Sequence, residues 1–409
     1  MSGDRLAHLT EVAPALWPTP HAVTVGRPAA EGAQTVAEYL LLPSARHPRL
    51  LAPTGRRAAS AVVRHHGEGR HAAARFQAAV LALGLRAGLG PVVWRRRLQV
   101  RAPRGAAGGG LLDHLGTVLD REVVMGMHLG PPRANRKPVL QLLDPAGRTL
   151  AYAKLGVDAL TDALVGQEAA ALAALAGAGT GSVRVPELLH DGTWLGHRLL
   201  VQSALPVWQP RRPLDAAGLA AAAGEIAAIG RVDDVVLTAS AYWQELRSRL
   251  DRLPDGPAAA RLRASVDRIG RAAGGARLSF GASHGDWTPW NMAAVAGGLL
   301  VWDWERFRTA VPVGFDLLHH RLQSGLVARL EDPPAAAADA VLGAGRLLAP
   351  LALAPRTGLL TALLYSADLA TRYLADRQLE AGARLGDVGA WLLPALDRGT
   401  TALEGETWT

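Results

Sequence analysis

The feature that most constrains this chain is a short polar island set among Ala- and Leu-rich sequence. It reads Ser283-His284-Gly285-Asp286-Trp287-Thr288-Pro289-Trp290-Asn291 and is followed by Val301-Trp302-Asp303-Trp304-Glu305. The intervening residues, with the turn Ala296-Gly297-Gly298 between two apolar runs, read as a β-hairpin. Asp286 and Asn291 sit five apart on a loop, and Asp303 ends the second strand. The hairpin turns that strand back beside the loop. Asn291 and Asp303 can then converge on one metal ion, with Asp286 nearby.

Phosphoryl transfer needs such a set. Its transition state is loose and highly charged, so the protein mainly positions groups and neutralises charge. One carboxylate must take the proton of an attacking hydroxyl. A carboxylate and an amide oxygen must hold Mg²⁺, which prefers hard oxygen ligands.

Composition sharpens the choice of residues. Of the 44 basic residues 42 are Arg, and the two lysines are Lys137 and Lys154; Asn occurs only at positions 135 and 291. A GC-rich coding bias depletes both types, so the survivors merit inspection. Arg does not replace the compact charge of Lys. Lys154 falls on a strand expected over 149–155, and Glu168 on a helix expected over 159–176. A Lys–Glu pair there would aim the ammonium at nucleotide phosphates. Gln202 to Leu205, including Ala204, close a hairpin, and their backbone groups could meet an adenine edge.

The motif His-Gly-Asp-x-x-x-x-Asn followed by Asp-Trp-Glu resembles the signature of the aminoglycoside phosphotransferase and choline kinase-like families. The resemblance covers roughly residues 119–380. It implies an α+β, bilobal, protein-kinase-like fold with a small β-rich lobe and a larger helical lobe, and ATP and Mg²⁺ as cofactors. By the same resemblance Asp286 is the base, Asn291 and Asp303 are magnesium ligands, Lys154 pairs with Glu168, and His284 braces the loop. Asp316, in Pro312-Val313-Gly314-Phe315-Asp316, takes a structural role. The nucleotide loop departs from the pattern: it lacks a clean Gly-x-Gly-x-x-Gly and offers Gly126, Gly130 and the run Asn135-Arg136-Lys137. No Asp-Phe-Gly or Ala-Pro-Glu element is present, which argues against a protein kinase.

The expected organisation is a basic N-terminal α/β region over 1–115, an N-lobe over 116–206 and a helical C-lobe over 207–409. The N-terminal region carries a helix over 72–85 and a strand over 91–101. Between Arg46 and Arg104 stand thirteen Arg and one acid, Glu68, a local charge of +12 within a chain of net +8. A solvated surface is the default reading. An anionic partner is the next, and nucleic acid is disfavoured because no recognisable module is present. Trp287 and Trp290 follow the base and could stack on a sugar face. His65, His66 and His71 show no metal spacing, and His319-His320 falls in a helix.

The absence of cysteine excludes disulfides and thiolate metal sites. With no apolar run long enough for a transmembrane segment and no signal peptide, a cytoplasmic enzyme is expected. The expected activity moves the γ-phosphoryl group of ATP to a hydroxyl of a small molecule: a sugar, amino sugar or related alcohol. The alternative is a non-catalytic nucleotide-binding regulator whose basic N-terminal region binds a partner. GTP in place of ATP stays open.

Overall fold

The computed structural model describes residues 3–26, 34–67, 72–105, 109–130 and 134–405. Parts of the Gly-rich linker, the loop after residue 130, and His71 thus lie outside the described residues. The chain is of the α+β class and divides into two compact units: Met1–Ala169 with Pro186–Trp208, and Ala170–Val185 with Gln209–Thr409.

The first unit is built on one antiparallel sheet. In chain order its elements are α1 (Gly3–Leu16), β1 (Ala22–Gly26), β2 (Gln34–Leu42), β3 (Leu50–Pro53), α2 (Arg56–Gly67), α3 (Ala72–Arg86), α4 (Gly90–Val93), β4 (Arg97–Ala102) and α5 (Leu111–Leu119). Then come β5 (Val124–His128), β6 (Val139–Leu143), β7 (Thr149–Leu155) and α6 (Ala159–Leu175), which belongs to the first unit as far as Ala169; β8 (Val183–Arg184) belongs to the second unit; β9 (Leu188–Trp194) and β10 (His197–Ser203) complete the first. Nine strands line up as β1-β4-β2-β3-β5-β6-β7-β10-β9. The N-terminal strands therefore extend the sheet that carries Lys154, joined where Leu50 and Leu51 pair with His128 and Met127.

Strand alternation explains why this sheet is covered on both faces. Tyr39 and Leu41 of β2 point into a core shared with Leu9, Val12 and Leu16 of α1 and Leu111 and Leu115 of α5. Leu40 and Leu42 point the other way, onto Ala59, Val62 and Val63 of α2 and Ala82 and Leu85 of α3. Gly126, grouped with the nucleotide loop in the sequence, sits mid-strand in β5. A Cβ there would come within 2.5 Å of Val62, so the glycine lets α2 press onto the sheet. The expected strand over 91–101 begins later, because Gly90–Val93 form a helical turn. Within β4 apolar and polar side chains alternate: Leu98, Val100 and Ala102 are buried in the cores, and Arg97 and the buried Gln99 both donate to Glu38, at 2.8 and 2.7 Å.

The second unit is mainly helical. Its elements are α7 (Ala216–Ala227), β11 (Val232–Val236), α8 (Ala241–Asp251), α9 (Pro257–Ala273), β12 (Arg277–Ser283), β13 (Met292–Val295), β14 (Gly298–Val301), β15 (Arg308–Pro312), α10 (Phe315–Gln323), α11 (Pro333–Leu342), α12 (Ala344–Leu348), α13 (Pro355–Ala375) and α14 (Val388–Glu404). Asp215, Ser240 and Asp332 cap α7, α8 and α11 with side-chain oxygens, and proline occupies the first turn of α9, α11 and α13. Two three-stranded sheets, β11-β12-β15 and β13-β14-β8, flank the polar island. Among the described residues no single helix is long and apolar enough to cross a membrane.

A polar cluster ties α8, β15 and α13 together. Asp368 of α13 accepts from Arg308 at 2.9 Å and from Arg249, and Arg308 also meets Glu245 at 3.2 Å. Burial alone would push the Asp368 carboxyl up, but the Arg308 and Arg249 guanidinium groups outweigh it and hold it well below the usual range. Replacing one member leaves the others buried without their counter-charge. Asp368→Asn is expected to lower unfolding stability by about 2–4 kcal/mol, read as a reduced urea midpoint.

Candidate active site

Within the first unit, Lys154 on β7 and Glu168 on α6 form a buried ion pair. Nζ lies 2.8 and 2.6 Å from the two carboxylate oxygens, and the side chains are 6% and 0% exposed. Two charges out of water persist only when paired this closely. Lys154 stands between Val139 of β6 and Leu200 of β10. Asn135 lies in the connection from β5 to β6, four residues before Val139. Gln202 is buried on β10 opposite Tyr152, and Ala204 follows the strand half-buried.

Within the second unit, the polar island forms one hydrogen-bonded loop. A buried carboxylate shapes its start. Asp316, in the first turn of α10, accepts from the Ser283 hydroxyl at 2.7 Å and from the main-chain N–H of His284 at 2.8 Å and of Gly285 at 3.0 Å. Gly285 has φ +78°, and a Cβ there would collide with the Arg306 carbonyl, so both conformation and space demand glycine. Arg372 of α13 donates to the Gly285 carbonyl at 2.9 Å.

His284 then braces the loop. Its Nδ1 accepts from the Asp286 N–H at 3.1 Å, so Nε2 carries the proton and donates to the Trp302 carbonyl at 3.0 Å. Burial lowers its pKa and favours this neutral ring, which packs edge-on against Trp304 with centroids 4.4 Å apart.

Asp286 is the hub. Asn291 Nδ2 donates to its Oδ2 at 2.9 Å and to its carbonyl at 3.0 Å. His319 Nε2 donates to Oδ1 at 2.8 Å, while Nδ1 of the same ring accepts from the Tyr365 hydroxyl at 2.9 Å. Burial pushes the Asp286 carboxyl up, but the hydrogen bond from His319 and the nearby charge of Arg372 outweigh it and hold the group well below the usual carboxylate range. Its side chain is still 32% exposed, and each oxygen keeps a lone pair for a further donor.

With its NH₂ group committed to Asp286, Asn291 has its amide oxygen left over for a cation. The hairpin register pairs Met292 with Val301, and Trp302 N–H donates to the Asn291 carbonyl at 3.0 Å. Asp303 comes one step past that pair, at φ +70°, a left-handed conformation that aspartate tolerates better than most residues. An amide oxygen and a carboxylate are hard-oxygen donors of the kind that suit Mg²⁺.

The two tryptophans differ. Trp287 is wholly buried against His284, whereas Trp290 is 41% exposed. The sequence does not single out His319, Tyr365 and Arg372: it places His319 in a helix, and no local spacing ties the three to Asp286.

No family model matches the chain, and no curated protein matches it in sequence. Solved structures show a weak likeness to it. The chain is similar to aminoglycoside phosphotransferases and choline kinases. A thermostable mutant of aminoglycoside phosphotransferase APH(4)-Ia shares 14% identity, covers 72% of this chain and 100% of its own, and has a TM-score of 0.48. Choline kinase LicA from Streptococcus pneumoniae shares 14%, over 71% and 97%, at 0.45. A putative fructosamine-3-kinase from Haemophilus somnus 129PT shares 14%, over 71% and 96%, at 0.39. At this level the likeness fixes neither activity nor substrate.

His320, next to the His319 that donates to Asp286, makes stability depend on pH. Burial, with His319 and Arg329, pushes its pKa down to about 4. An unfolded histidine takes its proton near pH 6.5. The contribution is therefore complete above pH 6.5 and is lost as pH falls from there to about 4. Thermal midpoints are expected to drop across that window by the equivalent of about 2–3 kcal/mol, and to drop less in His320→Gln.

Proposed function

We propose that this chain is a phosphotransferase that moves the γ-phosphoryl group of ATP to a hydroxyl of a small polar molecule. The observation that carries the reading is the divided carboxylate of Asp286: one oxygen is held by Asn291 and the other by His319. Asp286 is also 32% exposed, and the Asn291 NH₂ group that holds it leaves the amide oxygen of that residue over for a cation.

Asp286 would orient the acceptor hydroxyl and take its proton as that oxygen bonds to phosphorus and the bond to ADP breaks. A depressed pKa keeps the carboxylate ionised and ready, and a modest basicity suffices for a loose transition state. His319 and Tyr365 would fix the carboxylate plane. Asn291 and Asp303 would hold Mg²⁺, which neutralises phosphate charge when bound. Lys154, held by Glu168, would offset charge on the nucleotide phosphates. Ala204 would offer its main-chain groups to the base, and Asn135 a side-chain amide to the phosphates. Trp290 is the tryptophan of the pair with a face left for a sugar ring, which favours a sugar, amino sugar or related alcohol as acceptor.

A product-based screen of such alcohols with ATP and Mg²⁺ tests the activity. Asp286→Asn should lower kcat by about 10²-fold or more. Turnover equal to the parent would refute the base assignment. Trp290→Ala should raise the acceptor KM and leave that for ATP unchanged.

His319→Ala is expected to cut kcat by about 10–100-fold, the worth of a hydrogen bond to a charged group, with the KM for ATP little altered. His319→Gln, which can still donate to Asp286, should recover part of that loss. A buried histidine with only a packing role would instead lower stability and leave kcat of the folded enzyme intact.

A further inference from the structure

The two-sided sheet accounts for most apolar residues of the N-terminal region, but not for the outer face of α3. There Phe76, Val80 and Leu83 recur four and three residues apart, one side of a helix, and are 71%, 55% and 69% exposed. Leu89, Val92 and Val93, in the next turn and α4, continue the patch at 51%, 63% and 60%. Six of the seventeen large apolar side chains exposed among the described residues thus fall within eighteen positions. A patch this concentrated marks an interaction surface. The helix cannot roll to hide it, because Ala82 and Leu85 on the opposite side are locked against α2 and the sheet.

Arginines border the patch. Arg75 and Arg86 are eleven residues apart, about three turns, so they share one edge of the stripe. The Arg56 guanidinium lies over Gly88, where an added Cβ would be 2.8 Å from Nε. Arg95 and Arg96 follow α4, both exposed. Among the described residues none of these five is in an ion pair, in contrast to Arg97, which is held by Glu38. The only acid between Arg46 and Arg104 is Glu68, so this stretch itself brings almost no negative charge.

We propose that the α3–α4 face docks on an anionic lipid surface. The six apolar side chains would enter the headgroup boundary, and the bordering arginines would meet lipid phosphates. A second copy of the chain is disfavoured, since a two-fold contact would set arginines against arginines. An acidic protein would satisfy the arginines but would need a groove matched to six protruding side chains. Lipid accommodates such a ridge without one. This docking is independent of which acceptor the enzyme phosphorylates.

Cosedimentation of the full chain with vesicles tests the proposal. Binding is expected to equimolar phosphatidylcholine–phosphatidylglycerol vesicles and not to phosphatidylcholine alone, and it should weaken as salt is raised. Phe76→Ser with Leu83→Ser should lower the partition coefficient by roughly a hundredfold. Arg75→Gln with Arg86→Gln should lower it by roughly tenfold. Both double variants change exposed side chains, so their thermal midpoints should match the parent. The proposal is overturned by no binding to the mixed vesicles at low salt, or by binding that survives Phe76→Ser with Leu83→Ser. Polyglutamate bound in preference to vesicles, and lost in the arginine variant, would point to an acidic protein instead. A dimer in sedimentation that the Phe76 and Leu83 changes dissolve would assign the face to a second copy. Either result overturns docking on lipid.

Discussion

The candidate catalytic loop depends on one buried carboxylate that does no chemistry. Asp316 gathers a hydroxyl and two main-chain N–H groups from three consecutive residues, Ser283 to Gly285. Those three bonds hold the chain in the tight, left-handed turn by which it leaves β12. The rest follows from that turn: the Gly285 carbonyl meets Arg372, the His284 ring reaches the Trp302 carbonyl, and the Asp286 side chain is presented to Asn291 and His319. Bonds to an ionised acceptor are stronger than neutral ones, and burial increases their worth. The position of the Asp286 carboxylate is thus set by a residue thirty away in sequence.

The two units reach their polar centres by different means. In the first, regular sheet pairing places Lys154, and its ion pair with Glu168 fixes the ammonium. In the second, an irregular loop is held by many directional bonds, several to residues on α10 and α13. Regular strands position a side chain to within a residue of register, since slippage by one would send it to the opposite face. Loops have no such safeguard, which explains the density of hydrogen bonds around Asp286.

What was legible in the sequence was local. The Asp286–Asn291 spacing and the hairpin to Asp303 lie within eighteen residues, and the Lys154–Glu168 pair spans one strand and the following helix. Each motif encodes its own geometry. His319, Tyr365 and Arg372 come from helices 33, 79 and 86 residues beyond Asp286, and only the tertiary packing reveals them. Several elements were hidden for identifiable reasons. Val232–Val236 carries two aspartates and is largely exposed, so no apolar pattern marks it. The helices Gly3–Leu16 and Val388–Glu404 contain Pro14 and Pro394, which reads as interruption. The N-terminal strands show short apolar runs that are buried on both faces and lack the alternation of a half-exposed strand.

The junction of β3 with β5 has a consequence for how far the chain can be divided. Only Leu50 and Leu51 pair across it, yet α1 and α5 on one face and α2 on the other span the same sheet. A fragment starting near residue 116 would keep Lys154, Glu168 and the whole polar island while stripping Met125 and Met127 of their cover and leaving β5 as a bare edge. Such an edge invites pairing with any other extended chain. The first hundred residues are therefore no detachable appendage: they close an edge of the sheet that would otherwise stand open.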